Sequence, residues 1–75
     1  KYMNMNNKIN KIKVILAEQG RTNKWLAEQI GRDPATISKW CTNNAQPPLE
    51  AFVAISKSLN VKMEDLIWNS DNINK

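Results

Sequence analysis

The stretch WLAEQIGRDPATISKW, Trp25 to Trp40, decides the fold. It reads as a helix, a glycine, an Asp-Pro pair and a second helix. Leu26, Ala27 and Ile30 fall on one face at helical spacing. Gly31 ends that helix by admitting a positive φ. Asp33 is an N-cap residue, and Pro34 takes the first helical position, where a missing N–H costs nothing. Ile37 and Trp40 then point inward. So short a join makes the two helices cross steeply. The outer face of the second helix is left to Pro34, Ala35, Ser38, Lys39 and Thr42. Small and hydrogen-bonding side chains of this kind suit a major groove about 12 Å wide.

Working outward, Thr22 is the N-cap of the helix before the turn. A first helix is expected over residues 7–19, with Ile9, Ile12, Ile15, Leu16 and Gln19 near one face and Gly20 as its stop. After Trp40 the polar loop CTNNAQPP ends the third helix at Thr42, Asn43 and Asn44. A fourth helix is expected over residues 49–59, with Leu49, Phe52, Val53, Ile55 and Leu59 as its apolar set and Asn60 in a left-handed stop. A short fifth helix over residues 63–68 carries Leu66 and Ile67. No strand, repeat or low-complexity tract is evident. The reading is therefore all-α: one domain over residues 7–68, a flexible lead-in at 1–6 and a fraying tail at 69–75. Lys1 and Tyr2 precede the first methionine and read as an added remnant, with Met3 or Met5 as the natural start.

The 75 residues carry 11 Lys and Arg against 7 Asp and Glu, a formal net charge of +4. The surplus lies in the first forty residues, where Lys1, Lys8, Lys11, Lys13, Arg21, Lys24, Arg32 and Lys39 face only Glu18, Glu28 and Asp33. A one-sided positive field suits a polyanion such as nucleic acid, or serves only solubility. Cys41 is the single cysteine and there is no histidine, so neither an internal disulfide nor a Cys/His zinc site can be built. A reducing, cytoplasmic setting fits. No apolar run approaches the ~20 residues needed to span a bilayer, and the first residues contain no signal-peptide core.

The segments TNKWLAEQIGRDPATISKW, QPPLEAF and LNVKMEDLI together resemble the Cro/repressor-type (XRE-like, lambda-repressor-like) helix-turn-helix family of phage and bacterial transcription regulators. The resemblance extends over residues 12–68 and rests on the order and spacing of Thr22, Leu26, Ala27, Ile30, Gly31, Thr36, Ile37, Ser38, Trp40, Pro47, Leu49 and Leu59. It implies a compact five-helix domain whose third helix reads double-stranded DNA in the major groove. Carried over position by position, it implies base contacts from Pro34, Ala35, Thr36, Ser38 and Lys39. It implies phosphate contacts from Thr22, Asn23, Lys24, Arg32, Thr42 and Asn43. Asn23 opens a helix, where backbone N–H groups and the helix dipole suit a phosphate.

The sequence departs from the family at several positions. Family members often carry Gln, Arg or Ser where Pro34 and Ala35 stand, and these two offer only apolar contacts, for example to a thymine methyl. Direct readout then rests on Lys39, Ser38 and Thr36. Cys41 stands where an acidic residue is common, Thr42-Asn43 where Asn-Gly is common, and Pro48 where a serine often starts the fourth helix. Loop length is preserved at each.

The implied function is a sequence-specific DNA-binding regulator acting as a homodimer on a palindromic site. The competing reading is a protein-interaction module or antitoxin-like partner on the same fold, suggested by the apolar Pro34-Ala35 face and the tryptophans. An enzyme is not expected: Cys41 has no histidine to pair with, no Gly-rich phosphate loop is present, and the carboxylates are spaced as caps and surface charges. No cofactor, metal or small-molecule ligand is called for, and no exposed aromatic platform suggests RNA. Several residues keep two readings. Lys39 contacts DNA, at a guanine edge or a phosphate, or is an ordinary solvated lysine. Arg32 and Lys24 clamp phosphate or are simply solvated. Trp25 covers the core edge or meets a partner, and Trp68 caps the core or joins a dimer surface. Trp40 is read as core, Cys41 as a small filler and the Lys8, Lys11 and Lys13 group as solvated surface.

Overall fold

The computed structural model describes residues 8–68. The expected flexible lead-in, the expected helix start at Asn7 and the expected tail from residue 69 lie outside the described residues. Four α-helices follow in order: α1 (Ile12–Gln19), α2 (Asn23–Ile30), α3 (Pro34–Cys41) and α4 (Leu49–Leu59). A single 3-10 turn, Met63–Leu66, closes the order in place of the expected fifth α-helix.

Each helix boundary has a local cause. Thr22 is extended, and its hydroxyl accepts from the Trp25 N–H at 3.0 Å, which satisfies one orphan donor of α2 and is worth about 1 kcal/mol. Gly31 stops α2 in the left-handed region at φ 70°. Pro34 occupies the first turn of α3 as expected. Asp33 has the extended backbone of a cap but makes no side-chain cap bond, so the expected capping role of its carboxylate is corrected. Its carbonyl oxygen accepts instead from the N–H groups of Thr36 and Ile37. Asn60 ends α4 at φ 57°.

The core is one cluster fed by every helix. Ile12, Leu26, Ile37, Ile55, Leu59 and Leu66 are each 1% exposed or less, and Trp40 packs among them. Burying a side chain of this size contributes roughly 1.5–3 kcal/mol relative to leaving it in water. Trp25, Ile30, Phe52 and Val61 pack at the edge. Leu49 departs from its expected place in the apolar set: it is 73% exposed at the start of α4, and Ala51 and Ser56 take inner positions on that helix. Gln19 is exposed too, but its Nε2 donates to the Leu59 carbonyl at 2.8 Å and so caps the end of α4.

The largest difference from the sequence reading lies at residues 9–11. They lie outside any helix, and α1 begins only at Ile12. Asn10 forms an isolated antiparallel bridge with Ile67, the Lys11 N–H donates to the Leu66 carbonyl at 2.6 Å, and the Trp68 N–H donates to the Ile9 carbonyl at 3.0 Å. Helical backbone at Ile9 and Asn10 would forfeit these pairings. Asn10 supplies the reason for the late helix start: its Oδ1 accepts from the Ile12 N–H at 3.1 Å, a local side-chain bond that competes with helix. Among the described residues no helix is long and apolar enough to cross a membrane.

Candidate nucleic-acid interface

The helical pair α2–α3 meets through a turn that its own hydrogen bonds hold rigid. The N–H groups of Gly31 and Arg32 both return to the Ala27 carbonyl, the latter at 2.9 Å. This double closure is the left-handed stop in which a glycine is favoured. Asp33 then runs extended and delivers Pro34 to the first turn of α3. At the far end, the Cys41 thiol donates to Asn23 Oδ1 at 3.4 Å, which ties the first turn of α2 to the last turn of α3. The two helices are thus joined at the turn and again at the open end.

Helix α3 has two faces. Ile37, Trp40 and Cys41 are buried. Pro34, Ala35, Ser38, Lys39 and Thr42 are exposed, as the sequence reading expected. Thr36 is half-buried. The Lys39 ammonium makes no ion pair among the described residues, and its charge lies in the last turn of α3, where it complements the helix dipole. The Thr42 hydroxyl donates back to the carbonyls of Ser38 and Lys39 at 3.1 and 3.2 Å. Its proton is therefore held against the helix, while its oxygen remains an acceptor.

The residues expected at phosphate divide into free and engaged groups. Lys24 and Thr22 are exposed near the start of α2. Asn23 is half-buried; its Oδ1 takes the Cys41 thiol, and its Nδ2 has no partner among the described residues. Arg32 is engaged: its guanidinium pairs with Glu50 Oε1 at 3.0 Å and lies 5.6 Å from the centre of the Trp40 ring. Asn43 is engaged more fully. It sits in the left-handed region at φ 62°. Its Oδ1 accepts from the N–H groups of Ile9 and Asn10, both at 2.9 Å, and from Gln46 Nε2 at 3.0 Å. Its Nδ2 donates to the Asn10 carbonyl at 3.2 Å.

Asn10 is the residue that sequence reasoning missed. It is 2% exposed, and its Nδ2 donates to the Trp40 carbonyl at 2.9 Å and to Gln46 Oε1 at 2.7 Å. The α3–α4 loop is thereby hung on the strand-like segment before α1. An asparagine two residues ahead of a helical run was the available signal, since such side chains bond the backbone two residues on.

The tryptophans fall into place beside this surface. Trp40 is core, at 4% exposure. Trp25 covers the core edge, with the Arg21 guanidinium 4.3 Å from its ring centre. Trp68 is half-buried under the Lys11 ammonium, 5.1 Å from the ring centre. Burial pushes the Cys41 thiol pKa up from its ordinary value, and the nearby Lys13 charge pulls the other way. The thiol is thus held protonated as a donor to Asn23.

A solvated, cationic helical face raised on a rigid two-helix frame can lie in a groove and offer hydrogen bonds and charge to a polyanion. Comparison with known proteins agrees with that geometry. Residues 11–68 match the family model of the Cro/C1-type HTH DNA-binding domain. A crystal structure described as that of "a putative DNA-binding protein" from Bacteroides fragilis is similar to this chain at 52% sequence identity and a TM-score of 0.78. The similarity covers 80% of this chain and 97% of the other. No curated protein matches.

Proposed function

Because the chain belongs to the Cro/C1-type helix-turn-helix DNA-binding family, we propose that it is a sequence-specific regulator of transcription. In this reading α3 lies in the major groove of double-stranded DNA. Ser38 and Lys39 face the base edges with Thr36 beside them, and Pro34 and Ala35 make apolar contact with thymine methyls. Lys24, Thr22 and the Nδ2 of Asn23, unpaired among the described residues, hold phosphate at the start of α2, where the helix dipole adds to the attraction. Thr42 contributes only as an acceptor or through bridging water. Arg32 joins the contacts on release from Glu50, and Asn43 acts by shaping the loop.

The observation that carries this reading is the two-sidedness of α3. Its inner side chains are anchored, and its outer ones are exposed, with Lys39 unpaired among the described residues. The chain acts as a homodimer on a palindromic site, because one small module makes few contacts. Half-sites about 34 Å apart, one duplex turn, follow from the geometry of such dimers. Phosphate contacts supply much of the affinity, so binding weakens steeply with salt.

The test is selection from a randomised pool of double-stranded DNA, with enriched sequences rebound at two salt concentrations. A recovered palindrome with a steep salt dependence supports the regulator. Weak, sequence-blind binding overturns its specificity. Absence of binding at low salt overturns DNA recognition altogether and turns attention to a protein partner for the same face.

A further inference from the structure

The fold gathers three lysines that the sequence leaves scattered. Lys8, Lys11 and Lys13 line one cavity of about 280 Å³, together with Thr42 and Asn43 from the end of α3 and the ring of Trp68. No carboxylate lines it among the described residues. The first turn of α1 contains no acidic residue either. The backbone N–H groups of Lys13 and Val14, both at this cavity, have no hydrogen-bond partner among the described residues. The cavity therefore brings three lysines together with the start of α1, whose dipole is positive at that end and whose amide groups at Lys13 and Val14 are unpaired among the described residues. It has room for a tetrahedral anion, since a water molecule occupies only roughly 30 Å³.

We propose that this cavity seats a backbone phosphate of the DNA on which α3 lies, beside the C-terminal end of that helix. The assignment rests on the DNA-binding reading above and deepens it. Its occupant follows from continuity: Thr42, the C-cap of the recognition helix, and Asn43 just after it also line the cavity. A strand that leaves α3 at that end meets the lysines next. The chain then grips the duplex twice, at the start of α2 and at the start of α1, with α3 between.

The experiment compares the wild-type protein with a Lys8→Gln, Lys13→Gln double variant on the duplex that the wild type selects. Both lysines are exposed, so the thermal midpoint should not move. Lys11 is kept because it covers Trp68. The slope of log Kd against log salt should fall by about one to two, and affinity by roughly tenfold per lost contact at 0.1 M salt. The loss should be equal on cognate and scrambled duplexes, and one phosphate should drop out of the ethylation-interference pattern. Lys8→Arg with Lys13→Arg should restore all three readouts. Lys57→Gln, in the last turn of α4 beside the opposite end of α1, should leave the interference pattern unchanged. A double variant with wild-type slope and interference pattern overturns the phosphate seat and leaves DNA recognition by α3 standing. A wild type that binds no DNA overturns both.

Discussion

Asn43 clasps the backbone of Asn10 from both sides, accepting from its N–H at 2.9 Å and donating to its carbonyl at 3.2 Å. The loop that ends the recognition helix is fastened in this way to the segment that opens the first helix. Asn43 adds a second contribution, because its φ of 62° belongs to a region that asparagine tolerates and most side chains resist. Asn43→Ala loses both and should destabilise the domain by about 2–3 kcal/mol in urea unfolding. Asn43→Gly keeps the backbone freedom and should recover about 1 kcal/mol of that loss.

Lys39→Ala should weaken DNA binding by roughly 1–3 kcal/mol without a change in unfolding midpoint, since the side chain is exposed and unpaired among the described residues. Binding to a panel of single-base-pair variants separates its roles. Relaxed preference at one position marks a base contact. An equal loss on every sequence, with a shallower salt slope, marks a phosphate contact.

The Arg32–Glu50 pair is a surface pair, with the glutamate side chain 77% exposed, so its contribution to stability is at most about 1 kcal/mol. Its larger effect is to hold a guanidinium at the turn between α2 and α3. Glu50→Gln should leave the unfolding midpoint nearly unchanged, tighten DNA binding and steepen its salt slope. Unchanged binding would show that Arg32 stays on Trp40 when DNA is present.

Cys41 makes stability depend on alkaline pH. Its thiol pKa is raised in the folded chain, so the folded state keeps its proton where the unfolded chain has begun to lose it. The contribution to stability is complete below the ordinary value of 9.0 and is lost as pH rises through that value towards the raised one. Urea midpoints measured from pH 7 to 10 should show a decline that is smaller in Cys41→Ala. The same burial should make the thiol alkylate slowly at neutral pH compared with a free cysteine.

Gly31→Ala tests the turn. A methyl group there meets nothing within 4 Å, so the whole cost is conformational. The expected loss is about 1–2 kcal/mol, and Gly31→Asn should lose less.

The sequence was most legible where a residue acts on its own neighbourhood. The Thr22 cap, the Gly31 and Asn60 stops, Pro34 at the first turn and the buried Leu26, Ile37 and Trp40 are all set by contacts within a few residues or by helical spacing. It was least legible where distant residues decide. Ile9 looks like the start of an amphipathic helix, yet its backbone is drawn into pairing with Trp68 and Asn43. Leu49 matches the period of α4, yet it is left exposed in the first turn of that helix. Asn43 and Arg32 resemble surface donors until their partners, thirty-three and eighteen positions away, are known. The lysines of residues 8–13 point around a helix on paper, and only the late start of α1 brings them to one cavity.

The hydrogen bond between Ile9 and Trp68 closes the chain into a near-loop. The polypeptide enters and leaves the domain at the same spot, as a cassette does. Such a unit can be inserted into a loop of a host protein, or re-cut with its ends joined and new ends elsewhere, without stretching its frame. The chain before Ile9 and the chain after Trp68 thus begin their paths as neighbours.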